Sequence, residues 1–230
     1  MTVAAVILAA SVDSALSPAA GRAAVRRIVE SAWAGGAVPI IVVSHDRDGE
    51  VAAALSGSGA VLAEPAPPAA GPVGQMVRGI KVAQNSVSET DAAFIWPAHM
   101  VWVDAETITS LIEGHGADPM SALRPTWHGE PGWPVLLPLD RLDQLAALAP
   151  DRMPDELMAD LAAGGVVIRP VEMGDPGVTI DRDTEIDDLP AYEGPPEPIG
   201  GPPPEWGAAA AEAGDENPLE GLALAPYEPA

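Results

Sequence analysis

Three short, nearly all-apolar runs constrain this chain more than any other feature. They are Val3 to Ala10, Pro39 to Val43 and Ala92 to Trp96, and none holds a charged residue. A strand with one wet face alternates polar and apolar residues; a run that is apolar on both faces must be covered on both, as in parallel sheets sandwiched by helices. Helically spaced segments separate the runs. Arg22 to Gly35 places Val25, Ile28, Val29, Ala32 and Trp33 on one face, and Gly35-Gly36 is a stop signal. Strands alternating with helices predict βαβ units and a largely parallel sheet, a three-layer α/β domain.

The remaining segments continue the alternation. Ser11 to Gly21 reads as a loop, Gly49 to Leu55 as a helix ended by Ser56-Gly57-Ser58-Gly59, and Ala60 to Ala63 as a strand. Glu64 to Gly74 is a Pro/Gly/Ala-rich loop before a helix over Gln75 to Ala83. Asp104 is placed to cap a helix over Ala105 to Ile112. Met120 to Arg124 reads as a strand, Pro125 to Gly132 as a turn-rich connection, and Pro134 to Pro138 as another apolar run. Helices are expected over Asp140 to Leu148 and Glu156 to Ala163, and a strand over Val166 to Met173. Open α/β sheets bind ligands beyond the carboxyl ends of their strands. Residues 94 to 104, which follow a buried strand into a helix start, should therefore border a site.

Composition narrows the functions. The chain has 230 residues and no cysteine, so disulfides and thiolate metal sites are excluded. A net charge of −23 argues against a nucleic-acid partner, which needs a basic face. No apolar run approaches the ~18 residues of a membrane span. The apolar start lacks a basic leader region and reads as a strand, not a signal peptide, which gives an expected cytoplasmic location. The four histidines show no zinc-ligand spacing, and no Gly-x-Ser-x-Gly elbow or phosphate-binding Walker loop occurs. From Pro190 onward the composition changes. Eight acidic residues (Glu193, Glu197, Glu205, Glu212, Asp215, Glu216, Glu220 and Glu228) stand with no basic one among dense prolines. Such a segment buries too little apolar area to offset its ordering entropy. The expected organisation is a domain over residues 1–189 and an acidic tail over 190–230. Leu219, Leu222, Leu224 and Tyr227 form a short apolar patch in that tail, a candidate docking motif for a protein partner.

Four stretches carry a family resemblance: Val6-Ile7-Leu8-Ala9-Ala10; Met100 to Ile108; Arg124 to Gly129 with Gly132 to Pro138; and Asp175 to Thr184. In this order they resemble the MobA-like nucleotidyltransferases, which include the cytidylyl- and guanylyltransferases of molybdenum cofactor maturation. The resemblance spans about residues 3 to 189. It implies a mostly parallel sheet of the nucleotide-diphospho-sugar transferase, Rossmann-like type. It further implies transfer of a nucleotidyl group from CTP or GTP to a phosphorylated acceptor such as molybdopterin, with Mg²⁺ bridging the phosphates. By position it assigns Ala9, Ala10, Ser11, Gln75 and Gly79 to nucleotide binding, with Arg22 as a substitute cation. His128 and Trp133 fall on the acceptor side, Asp183 and Asp181 at the metal, and His99 at a catalytic strand end.

The departures from the pattern are as informative. The family follows Leu-Ala-Ala with a glycine-rich loop bearing Arg and then Lys; here Ser11 to Pro18 holds neither cation and no glycine, and Lys81 is the sole lysine of the chain. Aligning on Asp104 sets His99 where the family has a metal-binding aspartate, and neutral imidazole is a poor Mg²⁺ ligand. Trp96 and Trp102 flank His99 and suit either base stacking or core packing. Asp181 and Asp183 suit either a metal or helix capping. Two functions stay open: a working nucleotidyltransferase with altered groups, or a non-catalytic descendant acting as a cofactor-binding or assembly partner.

Overall fold

The centre of the sheet is β1 (Thr2–Leu8), and Val3 to Ile7 are at most 3% exposed. In the computed structural model, which describes residues 1–194, β1 pairs in parallel with β4 (Ile40–Val43) and β6 (Thr90–Pro97). This burial on both faces is what the uninterrupted apolar runs require. The helices α2 (Ala24–Ala34) and α5 (Ala105–Ala117) pack together on one face of the sheet, and α4 (Gly71–Ser86) lies across β1 and β4 on the other. With β5 (Val61–Ala63), β7 (Ala122–Trp127), β9 (Val135–Pro138) and β10 (Ile168–Glu172), the strand order is β10-β7-β9-β6-β1-β4-β5. In that order β9 alone runs antiparallel to its neighbours, and the two-residue β8 (Glu130–Pro131) pairs antiparallel with the end of β7. The result is the expected three-layer α/β fold with a mostly parallel mixed sheet.

Several boundaries differ from the sequence reading. Ser11 to Gly21 is not all loop. Ser11 Oγ accepts from Ser14 N–H at 3.1 Å and starts a five-residue helix, α1 (Val12–Leu16). A hairpin of β2 (Pro18–Ala19) and β3 (Arg22–Ala23) follows, turned by Ala20 and Gly21, both at positive φ. Arg22 thus sits in a strand, and α2 begins two residues after it. The α4 helix starts at Gly71, four residues early, because Pro72 in the first turn needs no N–H partner. Helix α5 runs through Gly114 and Gly116 to Ala117, and the missing side chain at Gly114 lets Leu123 approach closely. Strand β7 continues through Pro125 to Trp127, and Pro125 sits in register with Val171 of β10. The two helices expected over 140–148 and 156–163 are α6 (Leu142–Ala146), shorter at both ends, and α7 (Pro154–Ala163), which starts two residues early. Most of the acidic tail lies outside the described residues.

Candidate active-site cleft

The strands β1, β4 and β6 end together at Leu8, Val43 and Pro97, and a cavity of about 330 Å³ opens there. Ala9, Ala10 and His99 line its sheet side. Met76 and Gln75 of α4 line one wall, and Met153 with Pro154 at the start of α7 line the outer one. That outer wall is held by backbone packing. Gly71 stands at φ +59, and a β-carbon there would lie 2.0 Å from the Pro150 carbonyl oxygen. The 150–154 segment therefore rests directly on the start of α4.

The polar groups of the cleft are few. The Gln75 amide accepts from Ala66 N–H at 2.8 Å and donates to Ala66 C=O at 3.0 Å, which pins the 64–70 loop to α4. His45 and His99 are the imidazoles facing the cavity, and His45 Nδ1 lies 3.7 Å from Glu64. Past Ala10 and His45 the cleft widens into a rim lined by Asp13, Asp46, Asp48 and Glu50, with Arg47 as its one guanidinium. Two of the expected nucleotide residues sit elsewhere. Arg22 is exposed and pairs with Glu30 of α2. Gly79 is buried under the sheet side of α4, where a β-carbon would come 2.2 Å from Val6 Cγ1.

Beside the cleft, three of the motif-bearing stretches form one packed corner. Asp175 is 3% exposed; it accepts from Asp104 N–H and the Thr107 hydroxyl at 2.8 Å each, and from Gly177 N–H at 2.8 Å. Burial pushes its carboxyl above the ordinary carboxylate value, against the pull of those three donors. Asp104 itself caps α5 by accepting from Glu106 N–H at 2.8 Å. Gly177 lies against the Trp102 carbonyl, and Gly132 against that of Val178. In the sequence Asp175 stands out only as part of the Asp175–Thr184 motif. Its Asp-Pro-Gly context, a turn whose side chain caps its own backbone, was the available signal.

His99 and the Asp181–Asp183 turn are brought together by the backbone, since Arg182 N–H donates to His99 C=O at 2.9 Å. The Arg182 guanidinium reaches the carbonyl and hydroxyl of Ser14 at 3.3 Å, so it, not Arg22, is the cation beside the loop after β1. The Asp181 carboxylate accepts from Asp183 N–H at 3.0 Å, a local turn bond, and Asp183 is exposed. Among the described residues no three His, Asp or Glu side chains converge as a metal ligand set. At this corner His99 offers an imidazole, a poor Mg²⁺ ligand, and the Asp181–Asp183 turn offers the carboxylate oxygens that Mg²⁺ prefers. Both tryptophans flanking His99 are in the core: Trp96 Nε1 donates to Met100 C=O, and Trp102 Nε1 to the carbonyls of Asp181 and Thr184.

Of the two residues expected at an acceptor, His128 is exposed at φ +52, stacked on Trp127 with centroids 4.5 Å apart, and its Nε2 is 3.2 Å from Glu193. Glu172 accepts from the Thr126 hydroxyl and from the N–H groups of His128 and Gly129. These bonds, the hydroxyl foremost, hold its carboxyl below the ordinary value. Trp133 is 6% exposed, with the Arg124 guanidinium 5.5 Å above its ring.

The fold is similar to that of solved proteins, nucleotidyltransferases among them. A nucleotidyl transferase from Methanothermobacter thermautotrophicus superposes with a TM-score of 0.62 at 20% identity, covering 74% of this chain and 87% of that one. Rv0371c from Mycobacterium tuberculosis, in complex with manganese, gives 0.58 at 18% identity over 75% and 88%. A CMP-2-keto-3-deoxy-manno-octonic acid synthetase complexed with CTP gives 0.59 at 14% identity over 75% and 90%. At these identities the likeness shows the fold. No curated protein matches the sequence significantly. The model of the MobA-like NTP transferase domain matches residues 6–164, from the middle of β1 to the end of α7, and the chain belongs to that family.

Proposed function

We propose that this chain is a ligand-binding member of the nucleotidyltransferase fold that does not transfer nucleotides and serves as a cofactor-binding or assembly protein. One observation carries the reading. The rim where a triphosphate would extend from the cleft presents four carboxylates and one guanidinium. Nucleotidyl transfer depends on positive groups aimed at the phosphates, and here the local charge opposes them. The test is pyrophosphate release from CTP and GTP with Mg²⁺ or Mn²⁺ and molybdopterin as phosphorylated acceptor. Background rates are expected, and metal-dependent release above background overturns the proposal.

A second reading, transfer from CTP or GTP to a phosphorylated acceptor, has a specific support. The bond from Arg182 N–H to the His99 carbonyl sets the Asp181–Asp183 turn beside the β6 end, and Arg182 adds a cation by Ser14. That reading predicts measurable pyrophosphate release, which Asp183→Ala and Arg182→Ala each abolish. The acidic tail supports the assembly role, because a segment rich in carboxylates with a Leu219/Leu222/Leu224/Tyr227 patch suits docking. A pull-down with the full chain and one lacking residues 190–230 checks this; identical partner sets remove the tail from the proposal. No described helix is long and apolar enough to cross a membrane.

A further inference from the structure

The cleft and its rim differ sharply in chemistry, and the difference selects a ligand. No Asp, Glu, Lys or Arg side chain lines the cavity itself. Four prolines do: Pro65, Pro72, Pro97 and Pro154. Proline offers a flat apolar ring face and no backbone donor, so these walls favour stacking over hydrogen bonding. Gln75, the remaining amide, is held in place by Ala66, to which it gives one N–H and one lone pair. His45 and His99, with the second N–H and lone pair of Gln75, are then the side-chain groups that can read a polar edge. A volume of about 330 Å³ lies at the small end of ligand sites. Beyond Ala10 and His45, which border both spaces, any extension of the ligand meets Asp13, Asp46, Asp48 and Glu50 against the single cation of Arg47.

We propose that the cleft selects the uncharged, planar part of a nucleotide: it takes a nucleoside or similar neutral heterocycle in preference to the triphosphate. This rests on the binding reading above and adds the ligand class. The prolines and Met76 sandwich the ring, the two imidazoles address its edge, and the acidic rim repels added phosphates. Asp46 is partly committed, since its carboxylate accepts from Val51 and Ala52 N–H at the start of a short helix (Glu50–Ala54). Asp13 and Asp48 are exposed. Among the described residues neither is a side-chain cap or ion-pair partner, although Asp13 lies in the first turn of α1.

The test is titration calorimetry of the full chain with cytidine, guanosine, CTP and GTP, without divalent metal. At least one nucleoside is expected to bind as tightly as its triphosphate or more tightly. The double variant Asp13→Asn/Asp48→Asn is expected to strengthen triphosphate binding roughly threefold or more while leaving nucleoside affinity unchanged. His99→Gln is expected to weaken nucleoside binding by roughly threefold to tenfold, the worth of one hydrogen bond. A triphosphate that binds roughly tenfold more tightly than its nucleoside overturns this ligand class but leaves the binding reading standing. If neither nucleosides nor triphosphates bind, both fall. Circular dichroism of each variant confirms that affinity changes do not come from unfolding.

Discussion

At the scale of single residues, buried polar groups and exposed acids play opposite parts. Asp175 collects three donors in a dry corner. Replacing it with Ala leaves the Asp104 and Gly177 amides and the Thr107 hydroxyl unpaired, and each unpaired buried donor costs about 1–3 kcal/mol. Asp175→Ala should therefore destabilise the fold by about 3 kcal/mol in urea unfolding, a figure set by those donors. Asp183→Ala, at an exposed turn, should change stability by less than about 0.5 kcal/mol. Equal effects of the two would contradict the geometry. His115 is a second buried group, 1% exposed, with Nδ1 unpartnered among the described residues. Burial lowers its affinity for a proton below the ordinary 6.5, although Asp91, Asp118 and Asp140 pull the other way. The folded chain thus binds this proton less readily than the unfolded one. The contribution is complete above pH 6.5 and is lost as pH falls through the folded-state value. His115→Gln should flatten the fall of unfolding free energy below pH 6.5, and an unchanged profile would contradict a neutral buried ring.

At the scale of elements, packing explains what the sequence pattern did and did not reveal. Gly79 lets α4 approach β1 and β4 closely enough that a β-carbon would strike Val6 and Val43. Gly79→Ala gains about 1 kcal/mol of helix propensity but over-packs a rigid sheet at a cost of about 1–3 kcal/mol. A net loss of about 1 kcal/mol is expected from thermal or urea unfolding, and a stabilised variant would show that α4 can lift without strain. The apolar runs announced β1, β4 and β6 because strands buried on both faces have no polar positions to confuse the pattern. Helix α1 and the β2–β3 hairpin stayed hidden, since their length is set by a Ser11 cap and a two-residue turn and not by periodicity. Strand β7 extends past the length its sequence suggests because Pro125, which looks like a breaker, keeps its register with Val171 and its carbonyl serves Gly132 N–H. Of the candidate site, the adjacency of His99 and Asp181–Asp183 was legible, while the Gln75–Ala66 pairing, the contact of Arg182 with Ser14 and the walls from 150–154 depend on contacts distant in sequence.

At the scale of the whole molecule, charge decides. The chain carries −23, and the eight acids beyond Pro190 account for eight of those charges, which leaves −15 on residues 1–189. A field of that sign raises the cost of bringing any polyanion to the cleft, and the rim concentrates it at the point of entry. The family fold supplies a cleft at the strand ends, but fold alone does not fix chemistry. Salt separates attraction from repulsion directly. Sites that grip phosphates lose affinity as salt rises, whereas a site that repels them gains, because the Debye length shrinks from about 30 Å at 0.01 M to about 8 Å at 0.15 M. The decisive measurement is the dissociation constant of CTP, without divalent metal, between 0.01 M and 0.3 M ionic strength, compared with cytidine over roughly the same interval. The acidic rim predicts CTP binding that tightens with salt while cytidine stays level; CTP binding that weakens steeply with salt would contradict it.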